Sequence, residues 1–200
     1  MSKARFEAFS DSVFAFAITL LVLGFTLPMF RAPPTDQQLR GAILDLWPNL
    51  IAYALSFAVI GIMWHNHQAL FRVVTRVDRK TVVLNLLLLA GTVCIPFATT
   101  VLGTYPTMSS AAFLYGAVLS YTGTVYNILV NYLIATKVFA PSVGSEVVMG
   151  SRRAFLVSLL TYYVAMLLAL WWPLVSFAAY VAITVYGLIP HGVDEDLGEI

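Results

Sequence analysis

The chain has 200 residues, 60% of them hydrophobic and only 10% charged, with a net charge of +1 and a mean hydropathy of +0.86. A soluble domain is about 25% charged and cannot keep this much apolar surface from water, so the composition excludes one and predicts an all-α, polytopic membrane protein built as a single domain. The one cysteine, Cys94, excludes an intrachain disulfide, and the lack of an extended basic surface excludes a nucleic-acid partner.

Six membrane spans are predicted in chain order. The first covers about 8–29 and ends at Leu27-Pro28. About 22 helical residues rise roughly 33 Å, against a hydrocarbon core of about 30 Å. The run is too long for a cleavable signal, and no small-residue cleavage site flanks it, so it reads as a retained span. Placed on a helical wheel, Phe16, Leu20, Leu23 and Leu27 form one stripe, which Phe9 and Ser12 continue, with Thr19 and Thr26 beside it. Asp11 lies about 140° from Phe16, so the stripe and the acid face different neighbours.

Residues 31–45 are polar, contain Pro33-Pro34 and read as an extramembrane loop with a short helical turn. The second span runs from about 46 to 71, with Pro48 suited to a first helical turn and Trp47 to the interface. A dense charge cluster follows at 72–80. The charge-free run from Thr81 to Thr136 exceeds one crossing and breaks around Pro106, giving spans at about 81–102 and 110–136. Cys94, inside that run, reads as a small buried core residue. Residues 137–153 form a polar loop. A second long run breaks at Trp171-Trp172-Pro173 into spans at about 154–172 and 174–190, and an acidic tail follows.

Six spans put both termini on one side. That side carries Lys3, Arg5, Arg72, Arg76, Arg79, Lys80, Lys137, Arg152 and Arg153, nine basic residues against only Arg31 and Arg40 on the other. The positive-inside rule therefore predicts cytoplasmic termini in a cell-membrane protein. No three-helix unit is duplicated. Scattered Ala, Gly, Ser and Thr are expected to let the helices approach closely.

An ionised carboxylate within lipid is costly, so Asp11 requires a partner. Trp64-His65-Asn66-His67 lies near the inner end of the second span. Histidines at i and i+2 lie on nearly opposite helix faces, so no metal site is expected. His67 instead lies at the depth of Asp11, where an imidazole can satisfy the acid. Asn85, at the same level in the third span, either joins this cluster or faces lipid headgroups. Asn127 and Asn131 share a face of the fourth span and read as glue between helices rather than a cavity lining. Phosphate loops, nucleophile elbows and paired metal-binding cysteines are missing, so no enzyme is predicted.

Arg5-x-x-x-Phe9-Ser10-Asp11, then Trp64-x-x-His67-x-x-Leu70-Phe71, then Asn85 with Pro96-Phe97 resemble, in order and spacing, the motifs of the transmembrane protein 175 family of potassium channels. The resemblance implies a prokaryotic, single-unit member: a homotetramer in the lipid bilayer, with the first span of each subunit lining a central pore for potassium ions and no cofactor. It also implies an apolar constriction five positions after the signature aspartate. That position is usually isoleucine and is Phe16 here. No carbonyl filter of the Thr-Val-Gly-Tyr-Gly type is present, in keeping with an apolar constriction. The pore lining is then Phe16, Thr19, Leu20, Leu23 and Leu27, and Ser10 and Asp11 hold the helix to His67 and Asn85, with Arg5 anchoring it at the inner surface. The alternative is a proton-coupled secondary transporter in which Asp11 and His67 relay the proton.

Overall fold

The computed structural model describes residues 2–140 and 145–188, the side chains of 145–155 excepted. Its described residues form seven α-helices: α1 (Lys3–Leu20), α2 (Asp36–Leu44), α3 (Trp47–Val73), α4 (Arg79–Thr104), α5 (Ser109–Ala135), α6 (Ser145–Leu168) and α7 (Pro173–Gly187). A 3-10 segment, Leu21–Gly24, continues α1. Four helices are long and apolar enough to cross a membrane: α1 with its 3-10 extension, α3, α4 and α5. α7, at 15 residues, rises only about 22 Å.

Local chemistry sets the helix ends. Ser2 caps α1 by accepting from Arg5 N at 3.4 Å. Asp78 caps α4, its Oδ1 accepting from Thr81 N at 2.8 Å and Thr81 Oγ1 at 2.7 Å. α5 ends in a Schellman turn: Lys137 N donates to Ile134 O and Val138 N to Leu133 O. Lys137 takes the left-handed position, φ 51°, that glycine usually fills. Prolines open α3 and α7, where a missing N–H costs nothing.

α4 is the central helix and packs against α1, α3 and α5. One core joins Phe14, Ala17 and Leu21 of α1 to Leu55 and Ile60 of α3, Ile95 and Leu102 of α4, and Tyr115 of α5. A second core, around Phe6, Phe71, Leu88 and Leu129, closes the end that holds the α1 N-terminus. Close approach uses small residues, as expected: a Cβ on Gly91 of α4 would stand 2.5 Å from Thr122 Oγ1 of α5. Buried hydroxyls tie three helices together, with Ser56 Oγ 2.9 Å from Tyr115 Oη and 2.7 Å from Thr99 Oγ1.

The sequence reading needs correction at several points. The first helix starts at Lys3 rather than near residue 8, and regular helix ends at Leu20, with the 3-10 turn closing at Gly24. Gly24 lies so close to α4 that a Cβ there would stand 2.7 Å from Thr100 Oγ1, and Pro28 disfavours helix at Leu27. Leu27 therefore lies beyond the helix, and the wheel does not place it. The loop at 31–45 contains a nine-residue helix, α2, started by a Thr35–Gln38 capping box. The helix before the tryptophan turn begins at Ser145, inside the expected polar loop. Cys94 is exposed. It shares the outward face of α4 with Val93 and Phe97, while Thr92, Ile95 and Ala98 turn inward. Asn127 and Asn131 send their amide N–H groups to carbonyls of their own helix, Gly123 O and Asn127 O, so these bonds do not join helices. Residues 189–190 of the expected sixth span, the acidic tail at 194–199 and the side chains of Arg152 and Arg153 lie outside the described residues.

Candidate pore helix and its polar anchor

α1 divides into two faces. Phe6, Ser10, Phe14, Ala17 and Leu21 are buried against the rest of the chain. Opposite them, Phe16 is 63% exposed and Leu23 is 69% exposed; Leu27, beyond the helix, is 46% exposed. Phe9, Ser12, Thr19 and Thr26 are exposed as well, and Leu20 is half-buried. The expected stripe is thus left uncovered by the chain's own helices from Phe9 to Leu23. Thr19 Oγ1 donates its proton to Phe16 O at 2.8 Å. A hydroxyl whose proton is committed in this way can offer its remaining lone pairs only as an acceptor.

The buried face carries a directional chain of hydrogen bonds. His67 Nε2 lies 2.8 Å from Asn85 Oδ1. An amide oxygen only accepts, so the imidazole carries its proton on Nε2. Asn85 Nδ2 donates to Ser10 Oγ at 2.9 Å, and Ser10 Oγ donates to Phe6 O at 3.0 Å. Each of the three side chains is at most 1% exposed. Phe14 and Phe71 close over the His67 ring, with centroids at 5.4 and 4.6 Å. One polar thread therefore runs from α3 through α4 to α1, inside an aromatic cage.

Asp11 is satisfied separately. Its Oδ1 accepts from Trp64 Nε1 and from Gln68 Nε2, each at 3.0 Å. The expected bond between Asp11 and His67 is therefore not formed. Ser10, one residue earlier on α1, meets the Asn85 and His67 thread instead. Gln68 was missed from the sequence, although it stands one helical turn after Trp64 on the same face. Arg5 is exposed, and only its backbone N–H enters a described bond, to the Ser2 cap. Among the described residues no group of three His, Cys, Asp or Glu could hold a metal ion.

Of the signature residues that sequence spacing singled out, Ser10, Asp11, Trp64, His67 and Asn85 thus meet around one end of α1, while Arg5 and Phe9 stay exposed, and the uncovered apolar stripe lies on the opposite side of the same helix. Residues 5–96 match the family model described as the endosomal/lysosomal potassium channel TMEM175. A protein of Streptomyces collinus named a potassium channel is 38% identical over 80% of this chain and 79% of its own length. A potassium channel of Chamaesiphon minutus is 40% identical over 62% of each chain. The crystal structure of a lysosomal potassium-selective channel TMEM175 homolog from Chamaesiphon minutus superposes with a TM-score of 0.82 at 30% identity, covering 92% of this chain and 95% of that one. These relatives are named as channels, and they give the secondary-transporter reading no support. The chain belongs to the TMEM175 family of potassium channels.

Proposed function

We propose that the protein conducts potassium ions passively across the cell membrane as a homotetramer, each chain forming one six-span unit with both termini cytoplasmic. In this reading α1 from each subunit lines a central pore, and α6 and α7 supply the fifth and sixth spans. The observation that carries it is the division of α1: one face locked into the protomer by Ser10 and Phe14, the other leaving Phe16 and Leu23 exposed among the described residues.

Four copies of that face form rings of Phe16, Leu20 and Leu23. An apolar ring of this kind holds back ions by shedding water, and a small helix tilt or rotation that admits water opens it. Thr19, with its proton held by Phe16 O, offers lone pairs to a partly dehydrated cation. The Asn85 thread and the Asp11 bonds set the rotation of α1 and hence the direction in which Phe16 points. The seven basic residues described at the α1 N-terminal end, against Arg31 and Arg40 at the other, support cytoplasmic termini.

Planar-bilayer recording with potassium on one side and sodium on the other tests the proposal. The expected result is a current whose reversal potential moves toward the potassium equilibrium value. Reversal at zero, or no current from folded protein, contradicts it.

A further inference from the structure

The end of the molecule formed by the α3–α4 connection and the tip of α5 carries, among the described residues, more cations than acids. Arg72 closes α3, Arg76 lies in the connection, Arg79 and Lys80 open α4, and Lys137 follows α5; all five are exposed. They do not hang on loose loops. Val74 and Phe139 form an antiparallel bridge, with Thr75 N donating to Val138 O and Ala140 N to Val73 O, each at 2.8 Å. Lys80 Nζ is held 4.6 Å above the Tyr132 ring.

The described acids at this end each have a partner within the chain. Asp78 accepts from Thr81 through one oxygen and from Tyr132 Oη through the other. Glu7 pairs with Lys3 at 3.6 Å. Asp11 is bonded to Trp64 and Gln68. Among the described residues, Arg72, Arg76, Arg79 and Lys137 form no ion pair. A topology signal needs only the number of positive charges. Here the backbone that carries the charges is also braced by the Val74–Phe139 bridge, and the Asp78 carboxylate offsets only one of the five.

We infer that this platform binds the phosphate headgroup of an acidic phospholipid at the cytoplasmic membrane surface. Guanidinium groups suit the geometry of phosphate oxygens. Cations just beyond a helix end lie where acidic headgroups concentrate, and each strengthens attachment about fivefold. The inference rests on the membrane topology proposed above and not on ion conduction.

The test extracts the protein from membranes containing equal phosphatidylglycerol and phosphatidylcholine, then counts retained lipid by native mass spectrometry. Wild type should retain phosphatidylglycerol in preference, and R76Q/R79Q should lower that preference about 25-fold. R31Q/R40Q, at the opposite end, should match wild type. An unchanged preference in R76Q/R79Q, an equal loss in R31Q/R40Q, or displacement of the lipid by inorganic phosphate as readily as by phosphatidylglycerol overturns the inference. K137Q, with one charge removed, should show a smaller loss and serves if the double variant does not fold; unchanged retention in K137Q then counts against the site. Potassium current recorded in neutral lipid separates the two proposals. Current with no lipid preference refutes this inference alone, and lipid preference with no current refutes the channel reading alone.

Discussion

Asn85 is the one side chain that bonds to both neighbours of α4 in the polar thread, so its replacement tests the anchor most sharply. Asn85→Ala removes the bonds to His67 Nε2 at 2.8 Å and to Ser10 Oγ at 2.9 Å. Hydrogen bonds between membrane helices average about 0.6 kcal/mol and reach about 1.7 kcal/mol. The imidazole N–H, 1% exposed and walled by Phe14 and Phe71, then has no acceptor, which costs about 1–3 kcal/mol. Together the loss is about 2 kcal/mol, or a Tm about 4–8 °C lower for a chain of this length. Thermal unfolding in detergent, followed by gel filtration, measures it. Ser10→Ala and the double variant complete a cycle with an expected coupling of about 0.6–1.7 kcal/mol. Asn127→Ala is the control, because its amide bonds only to the Gly123 carbonyl of its own helix at 3.0 Å. A loss at Asn85 no larger than at Asn127, or strict additivity of Ser10→Ala and Asn85→Ala, refutes the thread as an anchor.

Lys137→Gly should stabilise the protein by about 1 kcal/mol, because lysine at φ 51° bears a left-handed strain that glycine does not; a Tm shift of the opposite sign tells against the Schellman assignment. Asp78 bears on acid stability. The Tyr132 hydroxyl, and then the Thr81 amide, hold its carboxyl down from 3.8 to about 2. A depressed folded pKa means that the stabilisation is fully present above about 3.8 and is lost as pH falls through about 2. Asp78→Asn should flatten the stability profile across that window, and a profile as steep as wild type would show that Asp78 does not contribute there.

Most breaks were legible because they are written in backbone chemistry. Tyr105-Pro106 and Trp171-Trp172-Pro173 interrupt charge-free runs, and the structure turns at both places. Azimuth was harder to read. In α4 both faces are apolar, so no periodicity separates outward Cys94 and Phe97 from inward Ile95 and Ala98. The useful signal is inverted from that of a soluble protein: Asn85, Thr92 and Thr99 mark the buried side, because lipid offers polar groups no partners. Depth matching brought Asp11, His67 and Asn85 to one level. It could not assign pairs, since Ser10 and Asp11 are about 100° apart on α1 and so reach different side chains. Gln68, which no sequence motif singles out, shares Asp11 with Trp64 because it stands one helical turn further along the same face. The end of α1 was hidden for another reason, because it depends on how closely Gly24 approaches Thr100 of α4, a tertiary contact that local sequence does not encode.

Whether the uncovered stripe of α1 borders the ion path is tested most directly by cysteine modification during potassium-current recording. The native Cys94 is exposed, so the background is Cys94→Ala. Phe16→Cys and Phe97→Cys are compared; both positions are exposed in the protomer, at 63% and 65%, but on α1 and on α4. A charged, water-soluble thiol reagent should block current irreversibly at Phe16→Cys and leave Phe97→Cys unaffected. Equal insensitivity of the two variants, with Phe16→Cys shown to conduct and to resist labelling while open, would place the stripe against lipid and contradict a pore lined by α1.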